Sequence, residues 1–436
     1  MANNNNCYKF EEFDGISWTE FSKEDRKVFC EGAFEQMRSC QPEKFIPNQP
    51  IGCEELRGIL IEDFREKRKM SVEEYTLYMK WKEINKKFAW VKPKVMQQIL
   101  YIRDNIWKPV DENSYLDLEP EIICCRGKEK LMFIWNTLRT FTHTQVNNQN
   151  IGRNIFFLVN DKITGKHLGA FCLSSDFLDV ACRDDKIGWT RDQRSQDHMI
   201  NHTYIGSTIV PTQPLGFNFV GGKLLALLLL SDEVQNSWSE AYDDRAVGCT
   251  TTSLYQKPGG MSQYTGLKYW KAVGHSKGTV TIAPTPENLQ LIKNYMMVDD
   301  AWNYFKYWHF YKPAKKDWFL PKDNKNRFIK LAFGKKRLDI PTEEYQSGHA
   351  RGVYFCRFYT NTDEFLRGEI EEKDLIKRFD GSTEALVTIW KKYAGKRIKS
   401  LLKSGRLDLG ESLFYNDLLV MDWEDAKIKY LGAVGR

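Results

Sequence analysis

The order of segments along the chain predicts an α/β fold: a mixed sheet with flanking helices, extended by helical regions at both ends. Three observations carry that expectation. Between residues 121 and 282, β-rich and amphipathic runs alternate as strand, helix, two strands, polar insertion, strand, helix, strand, short helix, two strands. Within that stretch the β-branched run Thr203–Val210 meets a Pro/Gly turn, and Gly221-Gly222-Lys223 then opens a long apolar helix. Outside it, apolar residues recur at spacings of three and four among charged ones, the period of a helix with one buried face. The expected division is a mainly helical region over 1–118, an α/β core over 119–284, and a basic, aromatic-rich, mainly helical region over 285–436.

Taken in order, residues 1–50 place one helix around FSKEDRKVFCEGAFEQM after an Asn-rich start. Glu54–Arg65 and Val72–Asn85 read as helices, with Ser71 and Glu74 spaced as an N-terminal capping box. Glu121–Cys125 reads as a short strand. Lys128–Thr142 reads as a helix whose apolar stripe is Leu131, Phe133, Ile134, Leu138 and Phe141. Asn154–Asn160 and His167–Leu173 are β-rich and joined by a charged turn ending in Gly165-Lys166, the pattern of a hairpin. The polar insertion 174–202 follows. After the apolar helix come a short strand, Ala246–Thr252, a Gly-rich loop, a short Tyr-bearing helix and a closing hairpin.

Composition bounds the class. With 436 residues, 42% hydrophobic and 28% charged, the chain has the make-up of an ordinary folded protein with a large core. Its longest apolar run, Leu224–Leu230, is far short of the roughly 20 residues a bilayer span needs. The start, Met1-Ala2-Asn3-Asn4, lacks the basic and apolar regions of a secretory signal. Ten cysteines are scattered without a CxxC pair, which suits a reduced cytoplasm. His198 and His202 stand four apart, a spacing that on a helix shares one face. No HExxH glutamate or third ligand accompanies them, so no metal site is expected.

The formal charge of +6 is compatible with a nucleic-acid partner without being diagnostic of one. Its distribution says more. Met79–Lys94 interleaves Trp81, Phe88 and Trp90 with lysines; residues 302–337 set Trp302, Tyr304, Phe305, Tyr307, Trp308, Phe310, Tyr311 and Trp318 among cations; residues 374–406 form a basic helical stretch. Each reads either as a face that neutralises phosphates and stacks bases or as core aromatics beside a solvated basic surface.

The strand–glycine–helix unit is a phosphate-holding geometry, because the first amides of a helix lack partners and the helix dipole favours an anion there. Asn218 precedes the turn, Gly221 and Gly222 allow close backbone approach, and Lys223 adds a cation. Cys249 and Thr250–Thr252 end the next strand toward the crevice where open sheets place ligands, and Ser253 and Tyr255 follow as hydrogen-bond donors. Cys249 as a nucleophile needs a lowered thiol pKa. No neighbouring base is visible, so a buried core cysteine is the plainer reading.

Over residues 120–282 this layout resembles the GNAT acyltransferase fold, in which a strand feeds a Gly-rich turn that binds the pyrophosphate of acyl-coenzyme A. The run Cys182-Arg183-Asp184-Asp185-Lys186-Ile187-Gly188-Trp189, followed by Arg191, Gln193 and Arg194, is similar to a segment of the DruA family, a component of Druantia anti-phage systems. Asn218–Leu224 and the close from Gly260 through Tyr264, Tyr269, Val273-Gly274 and Gly278 resemble that family too. The same layout is similar to Mom-type phage enzymes that alter adenine bases in DNA. The chain departs from the DruA pattern at Cys249–Thr252, where family members carry an acidic residue.

The resemblance implies a GNAT-like transferase that uses acyl-coenzyme A (acetyl-coenzyme A) or a related donor on a DNA base. Tyr264 would be the proton donor to the leaving group. Asp184 would be the general base or substrate-orienting carboxylate, and Arg183 would bind substrate beside it. Trp189 would stack on a flipped base or pack beneath its loop, and Thr251 would contact the substrate. Two alternatives stand beside it: a non-catalytic protein of the same fold that binds or senses DNA, and an N-acyltransferase acting on another amine.

Overall fold

The computed structural model describes residues 22–88, 91–142, 152–253, 262–308, 324–410, 414–415 and 421–431. The chain divides into two compact units, Met1–Lys69 with Ile282–Gln346 and Met70–Thr281 with Ser347–Arg436.

The smaller unit is helical. Its core joins helix Lys23–Cys40 to helix Ala301–Trp308 through Phe34, whose ring lies 5.3 Å from Trp302 and 5.1 Å from Phe305. Tyr304 is buried and Tyr307 rests against Phe328. Trp302, Tyr304, Phe305 and Tyr307 of the 302–337 window thus pack into or against a core, as a stripe of that spacing does. Phe310, Tyr311 and Trp318 lie outside the described residues. Lys67, buried on helix Cys53–Lys69, is compensated by Asp63 and the Ala283 carbonyl.

The larger unit is built on a seven-stranded mixed sheet in the order β1-β2-β3-β4-β5-β7-β6. The strands are β1 (Pro120–Cys124), β2 (Asn154–Asp161), β3 (His167–Ser175), β4 (Thr203–Pro211), β5 (Gly248–Ser253), β6 (Lys271–Thr281) and β7 (Gln346–Arg357). The first four run antiparallel to their neighbours, β4 and β5 pair in parallel, and β5 and β7 are antiparallel. Helix Glu129–Thr142 covers one face, where Trp135, Leu138 and Phe141 pack with Leu158, Ala170 and Cys172. On the other face, Leu224–Leu230 pack with Phe171, Tyr204 and the Trp390 side of helix Thr383–Lys403. The expected fold class, an α/β mixed sheet with flanking helices and further helical regions, is what this unit and its helical extensions form.

Several details differ from the sequence reading. The apolar helix is short, Gly221–Leu228, and apolar all round because it is buried on nearly every side. It ends because Ser231 caps a second helix, Asp232–Tyr242, its hydroxyl accepting the Val234 amide. The expected closing hairpin is one strand, β6, and its sheet neighbour β7 arrives from 65 residues later. Gly274 sits inside β6 at φ +145°, and a Cβ there would lie 2.8 Å from Cys182 Cβ. The glycine admits helix Ala181–Ile187 onto the sheet.

Met79–Lys94 falls mostly on helix Val72–Phe88, where Trp81 donates to the Met421 carbonyl and packs against Trp423; Trp90 lies outside the described residues. Ser71 caps that helix through the Glu74 amide at 3.0 Å.

Candidate functional site

β4 and β5 stay together for only four residue pairs, Thr203↔Gly248 to Gly206↔Thr251. Beyond Gly206, β4 continues against β3 alone, and the β3–β4 register shifts between Leu173↔Gly206 and Cys172↔Thr208. Ser207 is therefore the extra residue of a bulge, which bends its strand and ends pairing on one side. Its hydroxyl lies 2.8 Å from Ser174 Oγ, which donates onward to Asn154 Oδ1. At the point of parting, Thr251 Oγ1 donates to the Gly206 carbonyl at 3.0 Å. A Cβ on Gly206 would meet Leu229 at 2.8 Å, so the glycine lets the Gly221–Leu228 segment lie close beneath the split.

Tyr264 is 4% exposed, its ring 5.6 Å from Trp270 and 5.2 Å from Tyr354. It stands on turns, where the sequence suggested a short helix. Ser262 and Thr265 hydroxyls accept the Tyr264 and Ser262 amides, and Gly266 and Tyr269 adopt positive φ. Hydroxyls that bond local amides compete with helix formation. Gln263 Nε2 donates to Tyr264 Oη at 2.8 Å. Burial pushes the phenol up to about 12, against hydrogen bonds with Thr251 and Gln263 that pull it down. Near neutral pH the phenol is therefore a protonated group with a proton to give.

The glycine turn is packed by protein. A Cβ on Gly221 would meet Leu215 Cγ at 2.8 Å, and one on Gly222 would lie 2.0 Å from Gln263 Oε1. Lys223 donates to the carbonyls of Gln263 at 2.6 Å and Thr265 at 3.3 Å, and its ammonium sits 5.4 Å from the Tyr393 ring. Burial lowers its pKa. Asn218 clips the chain at Asp408, exchanging bonds of 2.6 and 3.2 Å. So arranged, these four residues do not fit a pyrophosphate: the cation is engaged and the approach to Gly222 is filled.

The Arg183–Trp189 segment forms a second cluster. Arg183 is fully buried and reaches Asp184 Oδ1 through Nε at 2.9 Å and Nη2 at 2.7 Å. Its Nη1 lies 2.8 Å from Asp176 Oδ1, a contact of opposite charges without hydrogen-bond alignment. Asp184 also accepts the Trp189 indole at 3.0 Å and the Val180 amide at 2.8 Å. The Trp189 ring, 4% exposed, lies 5.4 Å from the Arg183 guanidinium and 5.9 Å from that of Arg194. Asp176, which the sequence did not single out, accepts Thr250 Oγ1 at 2.6 Å. The only signal for it was an acidic residue just past the end of β3.

β5 divides these clusters. Successive side chains of a strand face opposite ways, so Thr250 meets Asp176 while Thr251 turns toward Tyr264. The structure gathers Tyr264, Thr251, Gly222 and Lys223 on one side, and Arg183, Asp184, Trp189 and Asp176 on the other. Cys249 shares the Thr251 side, fully buried opposite Cys356, and burial holds its thiol well above the usual range. Ser253 ends β5, buried opposite Gly352. Tyr255 lies outside the described residues.

His198 takes a left-handed conformation before the single turn Met199–His202, and the His202 ring meets the Arg245 carbonyl and Phe365. The two histidines share no helix face. Among the described residues no group of three or more His, Cys, Asp or Glu side chains could hold a metal, and no helix is long and apolar enough to cross a membrane.

Comparison with known proteins finds a family match. The family model described as Druantia protein DruA matches residues 66–368, beyond both ends of the 120–282 span on which the resemblance was read. Druantia protein DruA of Escherichia coli (strain UMEA 4076-1) is 29% identical over 143 residues, covering 29% of this chain and 34% of that relative. The chain thus spans about a third of the length of the curated relative it matches. No solved structure matches.

Proposed function

The chain belongs to the DruA family, and from that premise we propose that it is a GNAT-like transferase that modifies a base in DNA, in a phage or phage-defence setting. The parting of β4 from β5 carries the reading. A parallel pair that separates after four rungs at a bulge leaves backbone donors and acceptors of both strands open between them. Acyltransferases of the GNAT type hold their donor in such a split. Tyr264, protonated and bonded to Gln263, neighbours Thr251 at the parting, and in this reading it would give its proton to the leaving group. Group transfer to a base nitrogen needs that proton donor and close placement of the two reactants.

Asp184 and Trp189 take supporting parts in this reading. With Asp184 bonded by Arg183, Trp189 and Val180, it orients the segment. An acyl-coenzyme A or related donor would lie along the split, since its diphosphate has no room at Gly221–Lys223 as they pack.

That last observation favours a second reading. A chain that keeps the fold but fills the helix N-terminus with Gln263 suits a protein that binds or senses DNA without transferring a group. Mass spectrometry of nucleosides from DNA of cells expressing the protein separates the two. The transferase reading expects a modified nucleoside that disappears in Tyr264→Phe. Unmodified nucleosides throughout would leave the second reading in place.

A further inference from the structure

Helix Thr383–Lys403 packs Trp390, Ala394, Ile398 and Leu401 into the core. Its opposite face is exposed and carries Lys392, Lys396, Lys399 and Lys403. At about 100° per residue the four lysines fall within an arc of about 60°, centred about 180° from the buried residues. The only carboxylate on the helix is Glu384, in its first turn. None of the four lysines forms an ion pair among the described residues. Like charges three and four residues apart repel one another weakly, and a polyanion meeting the stripe would relieve that repulsion.

We infer that this stripe is a track for the phosphodiester backbone of duplex DNA, running beside the Tyr264 turn; the inference rests on the reading of DNA as the substrate. Two observations tie the track to the turn. Tyr393, on the same helix, donates its hydroxyl proton to the Gly266 carbonyl and accepts the Lys268 amide, both at 3.0 Å. Lys268 and Lys271 are exposed on that turn and its exit, extending the cationic surface from the helix toward Tyr264. The stripe is about 16 Å long, and a duplex presents one charge per about 1.7 Å of axis, so a single approach engages all four lysines.

The test is binding of the whole chain to a fluorescent 30-base-pair duplex across a salt series, for the wild type and a variant carrying Lys392→Gln, Lys396→Gln, Lys399→Gln and Lys403→Gln. Glutamine keeps the helix propensity of lysine, so the melting temperature serves as the folding control. Each phosphate contact contributes about 0.9 to the slope of log affinity against log salt. The variant's slope should flatten by about 3 to 4, with affinity at low salt down at least about tenfold. An unchanged slope overturns the track. So does a polyglutamate chain of equal charge that binds the wild type as tightly as the duplex does, because the stripe would then be an acidic-peptide site. A flattened slope without any modified nucleoside keeps the track and removes the transfer chemistry; a modified nucleoside with an unchanged slope does the reverse.

Discussion

On one side of β5, Thr250 gives its hydroxyl to Asp176, and behind that carboxylate Arg183, Asp184, Trp189 and Arg194 bond one another. On the other side Thr251 faces a neutral phenol, an amide side chain and a lysine bonded only to carbonyls. The ionic side has its charges matched and its indole sandwiched. The neutral side has a group with a proton to give, next to the split between β4 and β5. A buried ion network of this kind fixes geometry more than it does chemistry. The segment most recognisable in sequence is thus the one whose charges are already paired.

The strongest way to break that contrast is to remove the cation at its centre. Arg183→Met leaves Asp176 and Asp184 buried without their partner. Loss of one member of a buried pair costs about 3–5 kcal/mol, enough to unfold the larger unit or lower its denaturation midpoint sharply. A variant that melts with the wild type yet loses activity would move Arg183 from scaffold to substrate contact.

Tyr264→Phe tests the other side and should cost much less stability. Activity should fall by a factor of about 10² to 10⁴, the usual contribution of a positioned acid, with the fold intact by circular dichroism. The pH dependence carries a sign. A phenol pushed up to about 12 when folded releases its proton more easily when unfolded, near 10. Its contribution is present below pH 10 and is lost as pH rises from 10 through 12, a change on the order of 2–3 kcal/mol. The wild type should therefore lose more stability over that interval than Tyr264→Phe does. Parallel alkaline melting curves would mean that Tyr264 is not held in a buried, hydrogen-bonded site.

Much of the fold was legible and less of the site, for reasons that can be named. β1 to β5 announce themselves through β-branched and alternating residues between turns, as in Thr203–Pro211. β7 was hidden because its first half, Gln346-Ser347-Gly348-His349-Ala350-Arg351-Gly352, has neither alternation nor β-branched residues, and its partners lie far away in sequence. The closing hairpin was expected because the residues after Tyr264 read as two short strands, whereas they form the single long strand β6. At the site, Arg183, Asp184 and Trp189 are found by spacing, whereas burial and partnership, which decide their part, are tertiary properties. Gln263 carries no sequence signal at all, yet it fills Gly222 and holds Tyr264.

That glutamine offers the smallest and sharpest perturbation. Gln263 is an exposed residue of the turn whose amide donates to the buried Tyr264 hydroxyl, so Gln263→Ala should cost about 0.5–1.5 kcal/mol. It removes the Oε1 atom from beside Gly222 and the Nε2 donor from Tyr264. If the Gly221–Leu228 helix can receive an anionic donor once uncovered, acetyl-coenzyme A should raise the melting temperature of Gln263→Ala more than that of the wild type, since ligand binding to the folded state alone is stabilising. If neither protein responds while both still bind DNA, the helix N-terminus is closed by more than the glutamine, with Leu215 and Pro211 already against Gly221. The neutral side of β5 would then be as closed to a donor as the ionic side, and the DNA-binding reading would stand over the transferase.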